Sequence, residues 1–268
     1  MLRSEGFFGF KDNNLSSFLK LDIQSKSHTF NKAVIAAYYN VKKYGFVGTS
    51  QYIRIDQNKR SVFLIFDPKG IEPLLMGFKK PLVALCELPI FKKKTKEVCY
   101  DLHELFSGGG SAIARGLKFQ SRPEVMIVDY KKDTNLDVIY NGWKQTKESD
   151  GKTFLMTFNP ARYYRSYELL DYGYPIYQKV VLIKNQPYAL INFSLHGEMA
   201  YELSFLSLYK NQDLKLINDQ NDCIIVHCLG ELYARGIKYV NLGTDAGIKG
   251  LKLFKHKHPS FEQIVYSQ

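Results

Sequence analysis

The segment from residue 176 to 266 constrains the fold most, because its apolar runs change period between clear chain-reversal signals. Runs 176–184, 188–196 and 199–208 have strand-type patterning and are separated by Asn185-Gln186-Pro187 and Gly197-Glu198, so they predict an antiparallel meander. Residues 219–235 then take helical spacing and stop at Gly236, where a residue without Cβ closes a helix at no steric cost. A strand over 237–242, a short helix over 248–254 and a last strand over 263–266 complete the series. Upstream, 124–130 predicts a strand and 135–148 a helix ended by Ser149-Asp150-Gly151. A second helix runs from Asn159-Pro160 to about 171, with Asn159 as N-cap and Gly173 beyond its end. The order predicts an α+β fold built on a mixed sheet.

The first 120 residues are less regular. A helix is expected over 29–43 and a hairpin over 51–66 around residues 56–60, with a strand over 82–88 closed by Pro89. Phe91-Lys92-Lys93-Lys94-Thr95-Lys96 is a basic run expected in a solvated loop, where Lys92, Lys93 and Lys94 are candidate phosphate contacts. Gly108-Gly109-Gly110 precedes a helix with Ser111 as its candidate N-cap. Bare amides there, with Arg115 one turn in, form a candidate anion site.

A net charge of +11 and a pI near 9.3 favour polyanionic partners: nucleic acid, anionic headgroups or nucleotide phosphates. Nineteen tyrosines suit cleft walls and stacking surfaces, since the ring packs while the hydroxyl stays polar. Cys86, Cys99, Cys223 and Cys228 show no Cys-x-x-Cys spacing, so neither a disulfide framework nor a metal site is expected and a reducing cytoplasm is the expected setting. No apolar run approaches the ~18 residues of a membrane span, and no secretory h-region is read at the N-terminus.

The candidate chemistry lies along the meander. Asn192, Ser194 and His196 share one face of their strand by alternation. A two-residue turn at Gly197-Glu198 pairs Ser194 with Tyr201. A three-residue turn, or one bulge, pairs Ser194 with Glu202 and gathers Asn192, Ser194, Glu202 and Ser204 on one polar face. The second register is preferred, because bulges collect beside active sites. A partly buried Glu202 would deprotonate an amine or hydroxyl. After 237–242 come Asn241-Leu242-Gly243 and then Asp245, either a helix cap or an alternative base. Lys252 and Lys255 lie three apart, on one helical face suited to phosphate.

Strand, hairpin, helix, strand and short helix, with a strand ending Asn241-Leu242-Gly243 and a helix reading Gly250-Leu251-Lys252-x-Phe254-Lys255, resemble the GNAT-like acyltransferases. Within that superfamily the pattern is closest to the Fem-type and phosphatidylglycerol-lysyltransferase-type aminoacyl transferases, over roughly 175–268. The resemblance implies a mixed sheet whose strands 199–208 and 237–242 splay apart to expose backbone groups to an acyl donor. It places a transferase domain at 121–268. Residues 1–120 are then an accessory α/β extension or a diverged second GNAT-like half. CoA-dependent members wrap the pyrophosphate with a glycine-bearing loop before the long helix. Here 209–222 contains no glycine, as in the aminoacyl-tRNA-using branch.

The implied function is transfer of an activated acyl or aminoacyl group from aminoacyl-tRNA or acyl-CoA to an amine or hydroxyl. Glu202 or Asp245 would be the base and Tyr201 an oxyanion partner. Asn192, Ser194, Ser204, Asn241 and Gly243 would bind substrate. Lys252, Lys255, Arg115, Lys92, Lys93 and Lys94 would hold tRNA or DNA. The competing readings are a phage-type DNA base-modifying enzyme and a non-catalytic nucleic-acid-binding protein on a decayed transferase fold.

Overall fold

The computed structural model describes residues 14–23, 25–49, 51–77, 81–107, 111–131, 136–149, 169–245 and 249–268. In chain order its elements begin with α1 (Leu15–Leu19), α2 (Lys32–Tyr39), α3 (Val41–Tyr44), β1 (Val47–Gly48), β2 (Tyr52–Asp56) and β3 (Ser61–Ile65). Next come α4 (Glu72–Met76), β4 (Leu82–Cys86), β5 (Lys93–Asp101), α5 (Leu102–Ser107), α6 (Ser111–Gln120), β6 (Val125–Asp129) and α7 (Asp137–Ser149). The meander β7 (Ile176–Ile183), β8 (Gln186–His196) and β9 (Met199–Ser207) leads to α8 (Gln220–Ala234), β10 (Tyr239–Thr244), α9 (Lys249–Lys255) and β11 (Phe261–Ser267). From β6 onward this is the α+β order read from the sequence. The glycine run at 108–110 and the expected Asn159-Pro160 helix start lie outside the described residues.

The chain divides into two compact units. The first takes 1–99, 241–257 and 261–268, and the second takes 100–240 and 258–260, so each draws on sequence from both sides of residue 120.

In the first unit the strand order is β1-β2-β3-β4-β11-β5-β10. β3 runs parallel to β4, while β11 is antiparallel to both β4 and β5, which makes the sheet mixed. Every residue of β3 is buried, and Phe63 and Ile65 pack with Tyr52, Ile71, Leu75, Ala84 and Cys86. Asn31 opens α2 by accepting from the Ala33 and Val34 amides. The single helix expected over 29–43 is broken at Asn40, whose left-handed φ of 54° ends α2 while its side chain accepts from the Lys43 amide to start α3.

The expected loop at 91–96 is also corrected, because Lys93 to Lys96 form the start of β5. Pairing with β11 overrides their weak strand propensity. Lys96 meets Glu262 at 2.7 Å, and Lys94 sits over the Tyr266 ring.

In the second unit the order is β9-β8-β7-β6, antiparallel throughout. Lys184 and Asn185, both at positive φ, make the tight β7–β8 turn. α7 covers one face of the meander, where Leu136, Ile139 and Trp143 pack on Val180, Leu190 and Leu206. Gly142 permits that approach, since a Cβ there would collide with Leu208. α8 buries Cys223, Ile224, Cys228 and Leu229 in its own core. No helix among the described residues is long and apolar enough to cross a membrane.

Candidate functional site

The β8–β9 register decides which polar side chains meet. At the tip the turn has two residues, and His196, Leu195, Ser194 and Phe193 face Met199, Ala200, Tyr201 and Glu202. The register then shifts, and Asn192 faces Ser204, leaving Leu203 as the extra residue of a bulge. The expected bulge is present, but the expected grouping is not. Ser194 pairs with Tyr201, whereas Glu202 pairs with Phe193 on the other face. The two-residue turn fixes the tip before the bulge acts.

One face therefore carries Asn192, Ser194, Tyr201 and Ser204. Asn192 donates to the Ser204 hydroxyl at 2.7 Å, and all four side chains are buried. β7 adds Gln178, opposite Asn192, to the same face.

The opposite face looks toward α8, because Tyr177, cross-strand from Phe193, donates to Glu231 there at 2.8 Å. Glu202 is on this side, half-buried with its Oε2 enclosed. Burial, then the charges of Glu202 and Asp222, push the Tyr100 phenol pKa well up. Asp222 lies 2.9 Å from the His258 imidazole, and both residues are buried. Tyr100 meets that ring edge-on at 5.8 Å. Arg115 is spent on Asp219 and Asp222, at 3.4 and 3.9 Å, so it serves this acidic group. Tyr100, Asp222 and His258 escape sequence reading because they come from distant segments.

A second charged group sits under β7. Lys179 bridges Asp129 at 3.0 Å and Glu231 at 2.9 Å, and His227 lies 3.3 Å from Glu231. Burial opposes charge on Lys179 and Glu231, but their pairing outweighs it, so the lysine pKa is raised and the glutamate pKa lowered. Burial lowers the His227 pKa despite Glu231. A lowered pKa means that the unfolded chain binds the extra proton first, so both His227 and Glu231 cost stability as pH falls. The melting temperature should decline below about pH 6.5 as His227 titrates, and further below about pH 4.5 as Glu231 does. Thermal scans across pH should show the upper step disappear in His227→Gln. An unchanged profile in that variant would remove His227 from the linkage.

In the first unit, Asn241 and Gly243 are tied to the 25–29 loop. The Asn241 amide donates to the Lys26 carbonyl at 3.1 Å and to Glu97 at 2.9 Å, while its oxygen accepts from the Gly243 amide at 2.8 Å. Gly243 has φ 69°, and a Cβ there would press on the His28 ring. These two residues shape backbone at the end of β10, and the Asn241 side-chain groups are already occupied. Lys255 is buried and donates to the Leu242 and Thr244 carbonyls. It therefore does not share an exposed face with Lys252, which is exposed together with Lys92, Lys93 and Lys94. Asp245 is half-buried just past β10. Among the described residues, no His, Cys, Asp and Glu group is arranged to hold a metal ion.

No protein-family model and no curated protein sequence matches the chain. Solved structures do. A conserved protein of unknown function from Bacteroides thetaiotaomicron VPI-5482 aligns over 94% of each chain with a TM-score of 0.65 and 11% identity. The C-terminal domain named as that of a lysylphosphatidylglycerol synthetase from Agrobacterium fabrum aligns over 95% of this chain and 91% of its own, with a TM-score of 0.55 and 10% identity. FemX aligns over 83% of this chain and 85% of its own, also at 0.55 and 10%. The fold is thus GNAT-like, of the kind found in Fem-type and lysylphosphatidylglycerol-synthetase structures.

Proposed function

We propose that this chain is an acyl transferase that takes an aminoacyl group from tRNA rather than an acetyl group from CoA. One observation carries the choice of donor: the 209–222 connection uses its own polar groups. The Gln220 side chain accepts from the Leu216 and Ile217 amides at 2.8 and 3.4 Å and donates to the Leu214 carbonyl. Asn211 accepts from the Asp213 amide. Amides spent in this way are not aimed at a pyrophosphate, unlike those of an anion-binding helix start.

Glu202 is the proposed base, since a half-buried carboxylate in a bulged strand suits proton removal from an attacking amine or hydroxyl. Tyr201, opposite Ser194 on the other face, and Asp245 past β10 are the weaker candidates of the set. Lys252, Lys92, Lys93 and Lys94, with the +11 charge, support a nucleic-acid carrier.

Donor binding tests this directly. Calorimetry with acetyl-CoA should show no micromolar affinity, while filter binding should retain charged tRNA with an affinity that falls steeply with salt. A micromolar acetyl-CoA complex, about −8 kcal/mol, with no tRNA retention would overturn the proposal.

A further inference from the structure

Two ladder rungs of the second unit collect polar groups where a sheet normally buries apolar ones. Gln178, Asn192 and Ser204 lie in one rung across β7, β8 and β9, and Ile176, Ser194 and Tyr201 lie in the next. Gln178 is 7% exposed, Asn192 and Ser194 are 0%, and Ser204 is 5%. Val180, Leu190 and Leu206 continue the same face as apolar core under α7.

Neither amide atom of Gln178 nor the Ser194 hydroxyl has a hydrogen-bond partner. Gln178 lies directly opposite Asn192, within easy reach of an ordinary cross-strand pair, yet forms no hydrogen bond with it. Buried amides and hydroxyls left unpaired in this way destabilise a fold, and native proteins seldom keep them.

We propose that Gln178 and Ser194 form the floor of a binding site for a neutral amide group, which in the transferase reading belongs to the acceptor. The chemistry selects the ligand. The Gln178 amide supplies donors and an acceptor, and Ser194 supplies one of each kind. The two rungs hold no ionised side chain. The nearest charges in sequence, Lys179 and Glu202, sit on the opposite face with Tyr177 and Phe193. Among the described residues, these rungs offer no counter-charge to a carboxylate or phosphate, which would be desolvated there. An amide, by contrast, pairs donor to acceptor and acceptor to donor.

Only the word acceptor rests on the transferase reading, and the test uses no donor, so either idea fails without the other. The full chain, labelled with nitrogen-15, is titrated with N-acetylglycinamide and, separately, with acetate. The expected result is a saturable shift of the Gln178 side-chain amide and the Ser194 backbone amide with N-acetylglycinamide alone. Gln178→Leu and Ser194→Ala should each weaken that binding about tenfold, roughly the worth of one neutral hydrogen bond. Both should fold at least as stably as the parent, since each removes polar atoms that have no partner. The inference is overturned if the parent shows no saturable shift. It is also overturned if the variants gain thermal stability while binding the probe unchanged, because the patch would then be a packing defect or a water site.

Discussion

Glu202→Gln is expected to lower turnover by about 10²–10⁴-fold, the usual contribution of a positioned base, while leaving donor binding nearly unchanged. The residue owes its position to the two-residue turn at Gly197-Glu198, which sets the register of the hairpin tip. From the tip β9 pairs as a simple hairpin as far as Glu202, which lies cross-strand from Phe193, and beyond the bulge at Leu203 the register resumes one residue later. Its carboxylate is part of the negative field that, after burial, raises the Tyr100 phenol. Gln keeps the shape and removes the proton acceptor. Single-turnover rates measured beside donor affinity separate the two effects. Full turnover in the variant would leave Glu202 a packing residue and make Asp245 the next candidate.

Glu97→Ala should cost the first unit about 4 kcal/mol, near the upper end for a single substitution. Glu97 is 1% exposed. Its carboxylate accepts from the Ser27 hydroxyl, the His28 amide, the Thr29 amide and hydroxyl, and the Asn241 side chain, at 2.6–2.9 Å. Removing the acceptor strands all of these donors together, and each buried unpaired group carries its own penalty. Glu97→Gln should cost less, because one oxygen is kept while the new NH₂ faces donors. Urea unfolding should show a lower midpoint with an unchanged slope. A loss under about 1 kcal/mol would mean that water takes over those donors.

The meander, α8 and β10 are legible in the sequence because their signals are local. Alternation over 188–208, glycine at 197 and 236, and an apolar run over 223–229 each dictate backbone without distant help. Features that depend on a remote partner are not legible. Lys93 to Lys96 resemble a solvated loop until β11 supplies a strand to pair with. Lys255 resembles a surface cation until β10 ends beneath it with two carbonyls to satisfy.

The candidate site divides along the same line. Asn192 and Ser194 share a face by strand alternation alone, and the two-residue turn puts Glu202 on the other face, but Ser204 joins Asn192 only through the one extra residue, Leu203, which strand patterning does not locate. The Asn241-Leu242-Gly243 motif is visible in the sequence. Its engagement with Glu97, 144 positions away, is not.

The most direct measurement is label transfer by the full chain. tRNA charged with radiolabelled amino acids and, in parallel, labelled acetyl-CoA are supplied with a small-molecule cell extract as the acceptor source. The expected result is loss of ester-linked label from tRNA well above the spontaneous rate, slowed in Glu202→Gln, with acetyl-CoA left intact. Transfer from acetyl-CoA while charged tRNA stays inert would contradict an aminoacyl donor.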